Sequence, residues 1–232
     1  MAFKLGILAG MGPFSTGPFL QSVLDECKKQ YGAKWDADYP HMVIYSLPTP
    51  FHPKKKIDDK KMLTCLTEGL NTLVKAEVSI IAIPCNTVHK YYKKMLKVCK
   101  EIPLLHIVDE TMEGLKKKND SLVSILGTRS IIKSGLYQKG CQKIKKEIFW
   151  TEKLQKLIDD LITTYKKKGV CDKVLELWTD VKKLLHNHEV SDVIIACTDL
   201  AFCQNHANNV KFNLHNSSRV LAKKLVNEYV IH

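Results

Sequence analysis

Two hydrophobic rhythms alternate along the chain. Short, nearly unbroken apolar runs read as buried strands, and longer stretches with apolar residues three and four apart read as amphipathic helices. Leu5-Gly6-Ile7-Leu8-Ala9 is the first such strand. A glycine turn and Pro13 follow, then a helix from about Ser15 to Gln30 and a second strand from His41 to Ser46. The proline-rich loop Pro48–Pro53 leads into a helical period over Asp58–Ala76. Val78–Ile83 has the β-branched continuity of a central parallel strand, and the next helix covers roughly Thr87–Lys100.

The pattern then restarts. Leu104–Val108 predicts a short strand, Asp109–Lys117 a helix with Asp109 as N-cap, and Leu122–Leu126 a strand ending at Gly127-Thr128. Helical periods follow over Ser130–Lys143, Glu152–Lys167 and Asp172–His186. A strand over Asp192–Ala196 and a closing helix over Asn216–Tyr229 complete the chain. Such alternation predicts parallel sheets of βαβ units. The restart extends to the residues themselves. Ile7-Leu8-Ala9-Gly10 resembles Ile125-Leu126-Gly127-Thr128, and Val78–Thr87 resembles Val190–Thr198 at nearly the same spacing. Two features recurring together predict a duplicated α/β half. The first half is expected at residues 1–102 plus 216–232, the second at 103–215.

Composition narrows the class. The 232 residues are 45% hydrophobic and 26% charged, a globular balance with room for one large or two small domains. No apolar run approaches the roughly 18–20 residues that span a membrane. Met1-Ala2-Phe3-Lys4 leads straight into the first strand without the pattern of a secretory signal, so a soluble cytoplasmic protein with no membrane partner is expected. The net charge of +12 comes from lysine, since Arg129 and Arg219 are the only arginines. Runs such as Lys54–Lys56, Lys116–Lys118 and Lys166–Lys168 read as solvated helix ends and loops, and no nucleic-acid partner is expected. A basic surface would still attract anionic substrates.

Eight cysteines without a secretory signal argue against a disulfide framework. Cys85 and His89 have a C-x3-H spacing, but no second pair completes a metal site, and none is expected. Cys27, Cys65, Cys99, Cys141, Cys171 and Cys203 fall on or near helical patterns and read as small apolar fillers.

Cys85 and Cys197 differ from these. Each ends a buried strand and is followed by threonine, directly at Thr198 or after Asn86 at Thr87. Open α/β sheets bind ligands beyond the carboxyl ends of their strands. A cysteine there meets the next helix N-terminus, where backbone N–H groups and the helix dipole favour thiolate. Two such thiols facing one substrate suit racemisation. One base removes the Cα proton from one face, and an acid delivers a proton to the other.

At these residues the sequence resembles the aspartate/glutamate racemase family. Gly6–Pro13 is similar to the family's opening, Pro84-Cys85-Asn86-Thr87 with His89 to its first cysteine motif, and Ala196–Leu200 to its second. Gly127-Thr128-Arg129 through Tyr137, Lys167-Lys168-Gly169 and Ser218–Ala222 resemble its remaining elements, so the likeness covers nearly the whole chain. The resemblance implies two pseudo-symmetric three-layer domains with parallel sheets and an active site in the interdomain cleft. It implies a homodimer that needs no cofactor and acts on a small amino acid, aspartate or glutamate. Cys85 and Cys197 would be the acid/base pair. Asn86, Thr87 and Thr198 would hold the substrate α-carboxylate and amine. Met11 and Gly12 would shape the pocket, Thr128 would be a polar neighbour, and Lys167 would meet a carboxylate.

Three departures bear on the substrate. The loop after the second strand, where aspartate-specific members often carry arginine, offers Thr49, His52 and Lys54. Asp199 stands where glutamate is usual, and His215-Asn216 where an aspartate often precedes the closing helix. Gly10-Met11-Gly12-Pro13 also differs from the Asp-Ser opening of glutamate racemases and is closer to the aspartate branch. Two alternatives stay open. A maleate-isomerase-like or decarboxylase-like relative would use its strand-end cysteines differently. A non-catalytic small-anion-binding α/β protein would not need them, although Gly10-Met11-Gly12 with Gly17 lacks the dinucleotide spacing.

Overall fold

A computed structural model describes residues 3–51, 57–116 and 121–232. The chain is mixed α/β, with two parallel sheets. It divides into two units, Met1–Glu110 with Ser218–His232, and Thr111–Ser217.

In the first unit, β1 (Lys4–Ala9) is the middle strand of the order β2-β1-β3, with β2 at His41–Ser46 and β3 at Ile80–Ala82. The register pairs Lys4 with His41, Ala9 with Ser46, and Leu5 with Ile80. Residues 5–9 of β1 are buried, whereas the edge strand β2 is only partly covered. Helix α1 (Thr16–Tyr31) stops at Gly32, which takes a left-handed φ of +75°. Helix α2 (Asp59–Lys75) starts at Asp58, whose carboxylate accepts from the Lys60 and Lys61 amides at 3.1 and 3.0 Å. Its apolar stripe, Met62, Leu66, Leu70 and Leu73, joins Leu8, Ile81 and Ile83 in one core. Each such side chain contributes about 1.5–3 kcal/mol by leaving water. Helices α3 (Tyr92–Cys99) and α4 (Ile107–Leu115) follow, and the division between units falls within α4.

The second unit has the order β5-β4-β6-β7: β4 Leu122–Leu126, β5 Glu147–Phe149, β6 Asp192–Ile195 and β7 Asn213–Asn216. Around it run α5 (Arg129–Ser134), α6 (Leu136–Lys143), α7 (Glu152–Lys168) and α8 (Asp172–Asn187). Leu154, Ile158 and Leu161 of α7 pack with Val174, Trp178 and Val181 of α8 over Val193 and Ile195. Helix α9 (Ser217–Val230) returns the chain to the first unit. The two sheets share one topology. The first strand of each sits between the second and third, and the third passes its far edge to a fourth segment. That segment is β7 in one unit and a single parallel bridge from Ile81 to Leu104 in the other.

Most expected elements lie within two residues of their forecast bounds. The exceptions have physical reasons. Leu104–Val108 is not a strand. After the Leu104 bridge the chain turns, and Ile107 and Val108 enter α4, where both are buried. Asp109 is accordingly inside the helix, and His106 precedes it with Nδ1 3.3 Å from the Asp109 amide nitrogen. Val78–Ile83 contributes only three residues to β3, and the helix expected from Thr87 begins as a 3-10 stretch, Asn86–Tyr91. The single helix expected over Ser130–Lys143 is two, because Gly135 adopts φ +68° between them. Strands β5 and β7 carry little apolar pattern, and backbone pairing at the edges creates them. Asn216 belongs to β7, not to the closing helix.

None of the eight cysteines forms a disulfide. No helix among the described residues is long and apolar enough to cross a membrane.

Candidate active site

In the first unit, the turn after β1 is built on Gly10. Its φ is +89°, and a Cβ there would lie 2.5 Å from the Leu47 amide nitrogen. Only glycine lets the chain pass so close to the end of β2. The Gly10 amide donates to Thr16 Oγ1 at 3.1 Å, tying the turn to the first turn of α1. Met11 and Gly12 stand at the top of this turn and, with Ser15, Thr16 and Cys85, line one recess.

Cys85 reaches that recess from β3. Its amide donates to the Ile83 carbonyl at 2.8 Å across Pro84, and its backbone is extended, with φ −144° and ψ 105°. It stands immediately before the 3-10 stretch that carries buried Asn86 and Thr87. Thr49, half-buried, follows β2, and its carbonyl accepts from the Phe51 amide at 2.8 Å. Parallel register brings the ends of β1, β2 and β3 to one edge, so Met11, Gly12, Thr49, Cys85, Asn86 and Thr87 share it. His52 and Lys54 lie outside the described residues.

The second unit repeats this arrangement. Ala196 follows β6, its amide bonded to the Leu126 carbonyl at 2.8 Å. Cys197 then stands before the 3-10 stretch Thr198–Gln204, with φ −142° and ψ 127°. The two cysteines thus occupy equivalent backbone positions. The Cys197 thiol donates to Asp199 Oδ2 at 3.6 Å, and Lys166 Nζ lies 2.8 Å from the same oxygen. Asp199 is 6% exposed and Lys166 23%, so the ion pair is largely shielded from water. The sulfur therefore faces a carboxylate whose charge is already matched by an ammonium.

Thr128 caps α5, its hydroxyl accepting from the Ile131 amide at 3.4 Å. The preceding Gly127 carbonyl accepts from the buried Gln155 amide at 3.1 Å, and Gln155 also donates to Asp159 at 3.0 Å. Arg129 forks onto Glu152 and Asp159, which hold its guanidinium far above its ordinary range. Helix α7 therefore anchors the loop after β4 near its N-terminus and Asp199 near its C-terminus. Lys167 is exposed on the last turn of α7 with no ion pair among the described residues. The ion pair with Asp199 is made by its neighbour Lys166. Helical spacing carried that signal, since Lys166 is four residues beyond buried Ile162. Gln155 and the Arg129 fork had no comparable sequence signal.

Burial pushes the Cys99 and Cys141 thiols up to about 11, and raises Cys27 and Cys203 as well. His215 pairs with fully buried Asp192 at 2.7 Å across β7 and β6. No group of three or more His, Cys, Asp or Glu among the described residues is arranged to hold a metal ion.

The profile of a family described as Asp/Glu/Hydantoin racemase matches residues 8–225. The broad specificity amino-acid racemase RacX of Bacillus subtilis (strain 168) is 38% identical over 229 residues, covering 98% of this chain and 99% of that protein. The glutamate racemase of Aquifex aeolicus is 26% identical over 192 residues, 81% of this chain and 73% of that one. Among solved structures, Picrophilus torridus aspartate racemase superimposes with TM-score 0.82 at 21% identity, covering 98% of this chain and 94% of that one. A putative Asp/Glu racemase from Yersinia pestis gives TM-score 0.79 at 22% identity, covering 98% and 99%. At such identities the structural likeness speaks to the fold.

Proposed function

Because the chain belongs to the Asp/Glu/hydantoin racemase family, we propose that it is a cofactor-independent amino-acid racemase whose two bases are Cys85 and Cys197. The observation that carries this reading is their equivalence. Each follows the third strand of its sheet, with nearly the same backbone angles, ahead of a 3-10 stretch.

In this reading the two thiols act on opposite faces of the substrate Cα. One, as thiolate, takes the Cα proton, and the electron pair moves into the substrate carboxylate. The other, as thiol, gives its proton to the opposite face. The sulfurs exchange states in the process, and solvent resets them. Asn86, Thr87 and Thr198, with the backbone amides beside each cysteine, hold the α-carboxylate and amine. Met11, Gly12, Thr49 and Thr128 bound the pocket. Asp199, backed by Lys166, orients the Cys197 thiol.

Substrate range is the finer part of the proposal. No arginine follows β2 to grip a side-chain carboxylate bidentately. The full-length relative from Bacillus subtilis is named for broad specificity. We therefore propose that the protein accepts several amino acids rather than aspartate or glutamate alone.

The test is Cα exchange. Purified protein is incubated in D2O with each enantiomer of a panel of amino acids and no added cofactor. Deuterium incorporation and inversion are expected for more than one substrate. Cys85→Ala and Cys197→Ala are each expected to lower racemisation by at least about a hundredfold. Wild-type rates in either variant would rule out the two-base mechanism.

A further inference from the structure

Ile83 is where β3 gives way to the turn that presents Cys85. Its carbonyl oxygen accepts from the Cys85 amide at 2.8 Å, closing a three-residue turn over Pro84. The same oxygen lies 3.1 Å from Nε2 of His89, four residues beyond the cysteine. A carbonyl only accepts, so Nε2 carries the proton and donates. The ring is 1% exposed, and its Nδ1 has no hydrogen-bond partner among the described residues. A proton on that nitrogen would be a buried, unanswered charge. Burial, with His106 nearby, holds the imidazole down to about 3, so His89 stays neutral at any working pH.

The ring is also fixed in orientation. Tyr92 stacks beside it at 6.1 Å between centroids, and His106 meets it edge-on at 5.0 Å. Tyr92 is itself tied to the Leu104 carbonyl at 2.7 Å. A phenylalanine would fill this apolar niche without an unsatisfied nitrogen. What the imidazole adds is the bond to Ile83.

Resting on the racemase reading above, we propose that His89 is a positioning residue for Cys85, its Nε2–H holding the Ile83 carbonyl so that the turn aims the thiol at the substrate. It carries no proton in the reaction. It sets where Cys85 stands, and an error of about 1 Å in such placement can cost on the order of a hundredfold in rate.

Three substitutions test this. His89→Phe keeps a ring and removes the donor. His89→Gln places an amide N–H near the site of Nε2, and His89→Asn places one near Nδ1. We expect the Phe and Asn variants to lose about ten- to a hundredfold in kcat with KM nearly unchanged, and Gln to recover most of the loss. The isotope pattern separates mispositioning from general damage. With Cys85 displaced, a proton taken by Cys197 returns to the same face more often. Deuterium incorporation with retention should therefore rise relative to inversion for one enantiomer only. Wild-type kcat in His89→Phe overturns the assignment. So do equal losses in Gln and Asn with an unchanged retention-to-inversion ratio. Circular dichroism melts check folding, and if Phe does not fold, the Gln–Asn comparison carries the test. A wild-type protein that exchanges no amino acid would refute the racemase reading itself, a result seen before any variant is made.

Discussion

Lys166 and Asp199 form an ion pair at 2.8 Å, and the carboxylate oxygen that receives the ammonium also faces the Cys197 sulfur. The equivalent cysteine, Cys85, stands instead on a backbone turn backed by a neutral imidazole. In the proposed reaction the ion pair beside Cys197 biases whether that sulfur rests as thiol.

Lys166→Met should expose that bias. It removes the ammonium and leaves the Asp199 carboxylate largely buried without its cation, which costs about 3–5 kcal/mol in fully buried pairs and less here, where Lys166 keeps some water contact. Racemisation should fall at least about tenfold, and the pH profile of kcat should shift. The double variant Lys166→Met/Asp199→Asn removes both charges and should regain part of the lost thermal stability. Rate–pH profiles and melts of both variants decide it. An unaltered profile in Lys166→Met would show that the pair does not act through Cys197.

Two glycines should respond with opposite signs to the same change. Gly10→Ala forces a Cβ to within 2.5 Å of the Leu47 backbone at φ +89°, and should destabilise by at least about 1–3 kcal/mol. Gly17, in the first turn of α1, has nothing within 4 Å of its added Cβ. Gly17→Ala should stabilise by about 0.4–1 kcal/mol, because the unfolded chain loses freedom. Urea unfolding of both variants checks the pair. A Gly10→Ala protein as stable as the parent would contradict the close approach.

Thiol reactivity should follow burial. Cys85 is half-buried on a recess, whereas burial raises Cys27, Cys99, Cys141 and Cys203. Limited iodoacetamide treatment near pH ~8 should modify Cys85 well before those four, and activity loss should track its modification. Peptide mass mapping against residual activity is the measurement. Full activity with Cys85 alkylated would remove it from the mechanism.

Acid should destabilise the first unit through His89. Unfolded, its imidazole takes up a proton below about pH 6.5, but the folded ring does not until about 3. The unfolded state therefore binds more protons in that window, and stability falls as pH drops from about 6.5 toward 3. His106, which packs against the ring beside Tyr92 and Asp109, is also lowered by burial and adds to the slope. Melting temperatures across the window should fall less steeply for His89→Gln than for the parent. Parallel curves would assign the slope to other groups.

Much of this protein was legible in its residue order. The apolar runs of β1, β4 and β6 needed no context, because a strand buried on both faces must be apolar almost throughout. The restart of the strand pattern and both strand-end cysteines were equally plain. Elements without that local imprint were not. Edge strands β5 and β7 exist because neighbours offer unpaired amides and carbonyls, and their own side chains scarcely record it. Ile107 and Val108 read as strand, yet become helical because tertiary burial outweighs β-branched preference. The same limit applies at the candidate site. Sequence placed Cys85 and Cys197 just beyond strand ends, since their place depends on the strand each ends. Only the folded chain decided that Lys166 and not Lys167 meets Asp199, and that His89 reaches back to Ile83. Those contacts depend on which way a helix faces and on distances of a few ångströms, and a shift of one residue turns a helical side chain by about 100°.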